Sequence, residues 1–289
     1  MTRNVSVARK AEELLSSPVV ATAPVAGGDI CTATRLKLSD GTSALMKTHL
    51  HPPPGFFTAE ARGLRWLAEV DGVSAPAVLA VDEDCLIIPW IETGKQVPDA
   101  AAEFGRALAR THTSEVQVQG TKQFGFEHDG YIGRLPMRNT PSTSWPEFFA
   151  TQRVLPYLKV ARDRGAISPQ DSAVVEQIIG RLSDLVPTED PARLHGDLWN
   201  GNVLWGSDGV VHVVDPAAHA GHREVDIAML TLFGMPHLQR ALDAYDEAAP
   251  LVEGWEDRLG IHQLFPLLVH ACMFGGGYGA RAASIAGRY

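Results

Sequence analysis

The chain has few cysteines, no surplus of positive charge and no long apolar run. Its three cysteines, Cys31, Cys85 and Cys272, are far apart and form no CxxC pair, which argues against a disulfide framework or a zinc site. The formal net charge of −9 argues against a nucleic-acid partner, because such partners favour a basic face. The most apolar stretch, 264–274, is too short to span a bilayer. We therefore expect neither nucleic acid nor membrane as a partner.

Two common nucleotide-binding signatures and a secretory leader are also missing. The sequence contains neither GxGxxG nor GxxxxGK(S/T), so it supports neither a Rossmann nor a Walker-type site. Residues 1–15 mix basic and acidic side chains without an apolar segment, and we expect a cytoplasmic protein. The length of 289 residues, with 45% hydrophobic and 20% charged side chains, is typical of a globular protein with one or two domains.

The most informative segment is 194–204, which reads LHGDLWNGNVL. It contains His195-x-Asp197, with Asn202 five residues after the aspartate, and a short apolar run then ends in Asp215. Kinase-type phosphoryl transfer needs one carboxylate that orients the acceptor hydroxyl, together with an amide and a second carboxylate that hold Mg²⁺. The protein-kinase signature has the same interval between aspartate and asparagine. The alternative is a β-hairpin that is rich in polar residues by chance.

The first part of the chain offers a cation for nucleotide phosphates. Residues 19–49 predict an antiparallel hairpin sheet, in which Lys47 lies on an otherwise apolar strand. Glu60, on a helix predicted over 57–70, could pair with this lysine. The glycine pair that ends at Gly28 is a candidate phosphate-covering turn. Taken alone, these residues fit better a surface lysine on an edge strand, a surface glutamate on a helix and an ordinary hairpin turn.

The pattern predicts an α+β fold with two lobes and a cleft. Residues 1–91 are expected to form a small nucleotide-binding lobe, which consists of an antiparallel β-sheet and one helix. Residues 92–289 are expected to form a larger, mainly helical lobe for catalysis and substrate binding. Apolar spacing and capping signals predict the helices of the larger lobe. They are expected over 99–112, 145–164 with a bend at Pro156, 168–185, 224–232, 238–248 and 258–274.

These residues resemble the fructosamine-3-kinase (ketosamine-3-kinase) family, a branch of the protein-kinase-like fold near aminoglycoside phosphotransferases and choline kinases. Residues 195–202 look like the family's HGDLWxGN, whose tryptophan separates it from the commoner HGDxxxxN relatives. Residues 215–228 are similar to its DPA…GHxExDxA segment. Segments 124–126, 145–153 and 264–275 resemble its middle insert and final helix.

The resemblance implies an activity and its cofactors. It implies ATP-dependent phosphorylation, with Mg²⁺, of the O3 hydroxyl of a sugar joined to an amine through an Amadori linkage. The substrate is a fructosamine or ribulosamine adduct of a small amine or of a protein lysine, and the activity serves deglycation repair. Neither the preferred sugar and amine nor the oligomeric state follows from the sequence.

The resemblance also implies roles for the residues that bind nucleotide and metal. Asp197 orients or deprotonates the acceptor hydroxyl. Asn202 and Asp215 hold Mg²⁺, and Lys47, steadied by Glu60, contacts the ATP phosphates. Gly28 helps to cover the phosphates, and the adenine is lined by Pro89, Trp90 and Ile91. In the adenine segment, the Pro89 carbonyl would accept a hydrogen bond and the Ile91 N–H would donate one.

Four further residues are expected around the substrate and around the segment 195–202, which the resemblance implies is the catalytic loop. Trp199 is either a platform for the sugar or a core tryptophan behind the loop. Glu224 either approaches the amine side of the substrate or is solvated surface. His195 braces the loop, and Asp226 accepts backbone hydrogen bonds from it, so both have supporting roles.

Two other functions remain open at this stage. One is a kinase of another small alcohol or an aminoglycoside, and the other is a nucleotide-binding module without catalysis. The segment from Met137 to Pro141 also departs from the family pattern, since a glutamine and a tryptophan usual there are missing. If those residues select the sugar, the preferred ketosamine differs from that of better-known members.

Overall fold

The computed structural model describes residues 2–26 and 30–289, and an antiparallel five-stranded sheet forms most of its first lobe. The order of the strands across the sheet is β1-β2-β3-β5-β4. The strands are β1 (Val19–Val25), β2 (Thr32–Leu38), β3 (Ser43–Thr48), β4 (Ala80–Val81) and β5 (Cys85–Pro89). The predicted hairpin sheet is confirmed, and β1 is longer than expected from the apolar pattern at 19–22.

Eleven α-helices are described. They are α1 (Thr2–Leu15), α2 (Phe56–Leu67), α3 (Pro98–Thr113), α4 (Trp145–Phe148), α5 (Leu155–Asp163), α6 (Pro169–Ile179), α7 (Leu182–Leu185), α8 (Glu224–Phe233), α9 (Leu238–Ala248), α10 (Trp255–Phe274) and α11 (Tyr278–Ala286). Helix α2 packs its buried residues Phe57, Ala61 and Leu64 against β5, as an amphipathic helix does on a sheet. No helix in the described ranges has the length and apolar character that crossing a membrane needs.

Helix α10 is the centre of the larger lobe. Residues 264–269 are all buried, so this stretch is apolar all round because it lies inside the protein. Helices α5, α8 and α11 pack against it, and α6 packs on α5 and α11. A second core lies between α3, α9 and the strands next to the catalytic loop.

Two predicted helices differ from the observed ones. The helix expected over 145–164 is divided into α4, a π-helical segment Phe149–Val154 and α5. Pro156 therefore lies in the first turn of α5, where its missing N–H costs no helical hydrogen bond, and the irregular segment precedes it. The helix expected over 168–185 ends at Ile179, and 182–185 form the short α7. The Ser168 cap is confirmed, with its side chain accepting from the Asp171 N–H at 3.0 Å.

Short strand pairs place the predicted motif at the cleft. The remaining strands are β6 (Gly130–Ile132), β7 (Leu135–Met137), β8 (Ala192–Leu194), β9 (Val203–Trp205), β10 (Val211–Val213) and β11 (His219–Gly221). Strands β9 and β10 form the expected hairpin, and β8 pairs with β11. Both pairs are antiparallel, so the segments 195–202 and 214–218 that connect them lie side by side. The boundary between residues 91 and 92 stays a prediction.

Candidate active site

Lys47 joins the two lobes at the cleft. Its Nζ lies 2.8 Å from both carboxylate oxygens of Glu60 and 2.8 Å from Oδ1 of Asp215. Strand β3 carries the lysine, α2 carries Glu60, and Asp215 follows β10. The contact expected between Lys47 and Glu60 is therefore confirmed, and the structure adds Asp215 as a third member.

The charges of this group depend on one another. Burial alone would lower the pKa of Lys47, but the carboxylates of Glu60 and Asp215 outweigh burial and raise it, so the amine stays charged. Burial raises the pKa of Glu60 to about 7, although the lysine charge opposes the shift. A cation fixed in this way is ready to meet an anionic ligand without losing side-chain entropy.

Asp197 and Asn202 form the second half of the site. The Asn202 Nδ2 donates to the Asp197 carbonyl at 2.9 Å and to its Oδ2 at 3.2 Å. Burial raises the pKa of Asp197 to about 7, and the nearby charge of Asp215 adds to this shift. The amide oxygen of Asn202 and the carboxylate of Asp215 are hard oxygen donors of the kind that Mg²⁺ prefers. The donor chemistry of these residues therefore fits a magnesium ion.

The backbone at Asp215 is unusual. Its φ is +57°, in the left-handed region that aspartate tolerates better than most residues. The neighbouring Val214 N–H donates to the Asn202 carbonyl at 3.0 Å, which fixes the segment beside the catalytic loop. Together these features turn the Asp215 side chain from the end of β10 towards Lys47.

Asp226 accepts hydrogen bonds from the backbone of the catalytic loop. Its Oδ2 accepts the His195 N–H at 2.8 Å and its Oδ1 accepts the Gly196 N–H at 2.9 Å. It is fully buried, and the expected backbone contacts are confirmed. His112, which was not predicted as a site residue, lies 3.2 Å from Asp226 through its Nε2 and 2.9 Å from the Tyr245 hydroxyl through its Nδ1. No motif distinguishes His112, which occupies the last turn of an ordinary amphipathic helix.

His195 braces the loop from inside. Burial lowers its pKa, so the imidazole is neutral. Its Nε2 donates to the Val214 carbonyl at 2.9 Å, and its Nδ1 accepts the Asp197 N–H at 3.2 Å. Gly196 has a φ of +81°, and a Cβ there would lie 2.1 Å from the Ala217 carbonyl oxygen. Only glycine fits this position, and the histidine has the structural surroundings that were expected.

The segment expected to line the adenine follows β5. Pro89 ends this strand, and the Trp90 N–H donates to the Ser43 carbonyl at 3.0 Å. The Ile91 N–H has no backbone acceptor in the part of the chain that the structure describes, so it is available as a donor. The Trp90 ring packs under the Arg35 guanidinium at 4.4 Å. Gly28 lies outside the described residues.

Trp199 is half-exposed and lies two residues after Asp197. Its side chain remains 38% exposed, and its ring meets Phe233 edge-on with centroids 6.1 Å apart. The ring lies against the backbone of Gly201, where a Cβ would be 2.3 Å from it. The alternative of a core tryptophan behind the loop is therefore wrong.

Glu224 does not face a substrate. It is fully buried, with Oε1 2.6 Å from Arg258 Nη2 and Oε2 3.2 Å from His262 Nε2. Burial would raise its pKa, but His262 and Arg258 outweigh burial and lower it to about 2. Both predictions for Glu224, a contact with the amine and a solvated surface residue, are wrong. The physical reason is that α10 covers the first turn of α8 and supplies the arginine.

We expect Glu224→Gln to lower the free energy of unfolding by about 3 kcal/mol, because the substitution leaves the Arg258 charge without its counter-ion. Urea denaturation measures this change. Glu247→Gln is a matched control on an exposed helix face and should change stability by less than about 0.5 kcal/mol. A large rise in acceptor KM with unchanged stability would instead restore a substrate role for Glu224.

A family model described as fructosamine kinase matches residues 2–289. The chain belongs to the fructosamine kinase family. Membership of a kinase family implies that the chain uses a nucleotide as phosphoryl donor.

The chain is similar over most of its length to several named proteins. A probable ketoamine kinase of Enterococcus faecium is 37% identical over 89% of this chain and 91% of its own length. A chloroplastic protein-ribulosamine 3-kinase of Arabidopsis thaliana is 32% identical over 92% of this chain and 81% of its own. A crystal structure from Thermobifida fusca, described as a fructosamine-3-kinase, is 46% identical with a TM-score of 0.92, covering 97% of both chains.

More distant phosphotransferases have the same fold. Several that act on other substrates align at TM-scores of 0.60 to 0.66 with only 11 to 16% identity. Likeness at this level of identity shows the fold alone. The two-lobed, kinase-like α+β fold is thus confirmed.

Proposed function

We propose that this member of the fructosamine kinase family transfers the γ-phosphoryl group of ATP to the O3 hydroxyl of ketosamines. Its acceptors are fructosamine or ribulosamine adducts of small amines or protein lysines, and the reaction serves deglycation repair. The observation that carries the proposal is the convergence of Lys47, Glu60 and Asp215 beside the Asp197–Asn202 pair. The names of the relatives support the choice of acceptor.

Catalysis rests on position and charge, with little covalent chemistry from the protein. Lys47, held by Glu60, contacts the phosphates. Asn202 and Asp215 would hold Mg²⁺, which offsets the negative charge between nucleotide and acceptor when it is bound. Asp197 orients the acceptor hydroxyl and takes its proton as the new O–P bond forms, and a carboxylate with a pKa near 7 suits that task at neutral pH.

Other residues complete the two substrate sites. The Pro89 carbonyl and the Ile91 N–H bind the adenine edge beside Trp90, and Gly28 would contribute to covering the phosphates. The half-exposed face of Trp199 supports the sugar, since an aromatic face suits the C–H side of a sugar ring. His195 and Asp226 position the loop without touching substrate. We propose a cytoplasmic location, as the composition suggests.

The phosphorylated product explains the repair activity. Once C1 and C2 of the sugar enolise, a phosphate on C3 becomes allylic and leaves readily as inorganic phosphate. The sugar fragment is then shed and the free amine returns. The enzyme itself is needed only for the first step, which installs the leaving group.

The proposal is tested by measuring ADP release with four acceptors, namely ribulosamine, fructosamine, choline and kanamycin. We expect turnover with a ketosamine, a product heavier by one phosphoryl group, and loss of activity on chelation of Mg²⁺ with recovery when it is restored. Turnover of choline or kanamycin alone would establish the rival kinase. Nucleotide binding without turnover of any acceptor would establish a non-catalytic module.

A further inference from the structure

A row of aromatic side chains continues from Trp199 away from the catalytic loop. We name the four residues that follow it, Phe233, His270, Phe274 and Tyr278, the aromatic wall. Ring centroids are 6.1 Å apart for Trp199 and Phe233, and 4.8 Å for Phe233 and His270. His270 in turn lies 5.6 Å from Phe274 and 5.1 Å from Tyr278. The wall is therefore continuous with the proposed sugar platform.

Local chain geometry assembles the wall. His270 and Phe274 are four residues apart on α10, so they share one face of the helix. Three consecutive glycines, 275–277, all have positive φ and reverse the chain after α10. This reversal brings Tyr278, the first residue of α11, back against His270.

The far end of the wall meets the small lobe. Met273 precedes Phe274, and a Cβ on Gly133 would lie 2.6 Å from its Sδ and 3.4 Å from Cδ1 of Ile30. Ile30 belongs to the connection between β1 and β2, so a residue of the small lobe is close to this point. The end of α10 that carries Phe274 is therefore close to a residue of the small lobe.

The chemistry of the wall suits a cation with apolar substituents. Phe274 is 53% exposed and the other three side chains are half-buried, and the four include no carboxylate, lysine or arginine. The His270 Nδ1 donates to the Pro266 carbonyl at 2.7 Å, and burial lowers the pKa of the ring. Its Nε2 is therefore an unprotonated acceptor, and it has no protein partner among the described residues. Aromatic faces attract ammonium groups, and this nitrogen can accept an N–H from one.

We propose that the aromatic wall binds the amine side of the acceptor, as a secondary ammonium with apolar substituents whose N–H donates to His270 Nε2. The inference rests on the proposed function, because a ketosamine carries its nitrogen on C1, two carbons from the reacting C3. With the O3 hydroxyl at Asp197 and the sugar ring on Trp199, the nitrogen extends towards Phe233. The aromatic wall therefore recognises the positive charge and the apolar substituents of the amine, whereas the catalytic loop binds the sugar.

The test compares two acceptors, an N-alkyl 1-amino-1-deoxyfructose and its ether analogue, in which an uncharged oxygen replaces the nitrogen. We expect wild-type enzyme to prefer the amine by roughly tenfold in kcat/KM. Phe233→Leu keeps the apolar bulk but removes the aromatic face, and it should abolish most of this preference by raising KM for the amine alone. His270→Phe keeps a ring but removes the acceptor, and it should have a similar effect. The kcat and the KM for ATP should not change.

Trp255→Leu is the matched control, since it removes an aromatic ring from the other end of α10, roughly 22 Å from His270 along the helix. It should preserve the preference. If the KM for the amine acceptor is the same in wild type and in the wall variants while ketosamines are still turned over, the proposed role of the aromatic wall is wrong. The proposed function is then unaffected. Absence of ketosamine turnover in every protein would instead remove the proposed function. Altered sedimentation without any KM change would make the wall a contact between copies, which also overturns the inference.

Discussion

Asp197→Asn is expected to lower kcat by about a thousandfold, because the substitution keeps the shape of the side chain but removes the carboxylate that we propose receives the hydroxyl proton. Nucleotide affinity should stay within about threefold of wild type, since the substitution leaves Lys47, its partner Glu60 and the proposed Mg²⁺ ligand Asp215 untouched. Steady-state ADP release measures the first quantity, and calorimetric titration with ATP measures the second.

A matched control for this result lies on the same loop. Asn200 is exposed, and none of its side-chain atoms forms a hydrogen bond within the described residues. Asn200→Ser should therefore keep kcat close to wild type. Wild-type turnover in Asp197→Asn would contradict the assignment of the proton acceptor, whereas a matching loss of ATP binding would show that the variant disturbs the whole site.

Asp226→Ala is expected to lower the free energy of unfolding by about 4 kcal/mol. The substitution leaves two buried backbone N–H groups and the ring of His112 without an acceptor, and each unsatisfied buried group costs about 1 to 3 kcal/mol. The catalytic loop also loses its anchor, so kcat should fall together with stability. Guanidinium denaturation and steady-state kinetics measure the two effects.

Asp208→Ala provides the comparison for Asp226. Asp208 also accepts a backbone N–H, from Val210 at 3.0 Å, but it lies in an exposed turn. Its substitution should cost less than about 0.5 kcal/mol and leave kcat unchanged. Equal effects of the two substitutions would show that burial of the acceptor does not matter, contrary to the role proposed for Asp226.

The sequence predicted best those features that depend on short-range spacing. The hairpin around 203–213 follows from an apolar run with polar ends, and the contact of Lys47 with Glu60 follows from a strand with a helix directly after it. The support from Asp226 was expected from the resemblance, and its hydrogen bonds agree. These features are encoded by neighbouring residues or by a recognisable motif.

Features that depend on packing between distant segments could not be predicted. Glu224 and Arg258 are separated by 34 residues, and no local pattern shows that α10 will cover the start of α8. His112 likewise becomes part of the catalytic support only when α3 meets Asp226. The division of 145–163 by a π-helical segment is equally invisible in the apolar spacing, which reads as one helix.

The altered segment Met137–Pro141 has a structural anchor. The buried guanidinium of Arg153 donates to the Arg138 carbonyl at 2.5 Å and to Oδ1 of Asn139 at 2.6 Å. The Asn139 amide also donates to the His128 carbonyl at 3.0 Å. These hydrogen bonds fix the path of the segment, whereas its effect on sugar preference stays a prediction.

The bridge from Lys47 to two carboxylates has a mechanical consequence. Lys47 and Glu60 belong to the small lobe and Asp215 to the large one, so the bond between Lys47 and Asp215 links the two lobes. The Asp215 side chain is 45% exposed and the Glu60 side chain 11%, so the bond from Lys47 to Asp215 lies closer to water than the bonds to Glu60. Dissolved salt should therefore weaken the bond from Lys47 to Asp215 more than the bonds from Lys47 to Glu60, so a higher ionic strength should make it easier for the two lobes to separate.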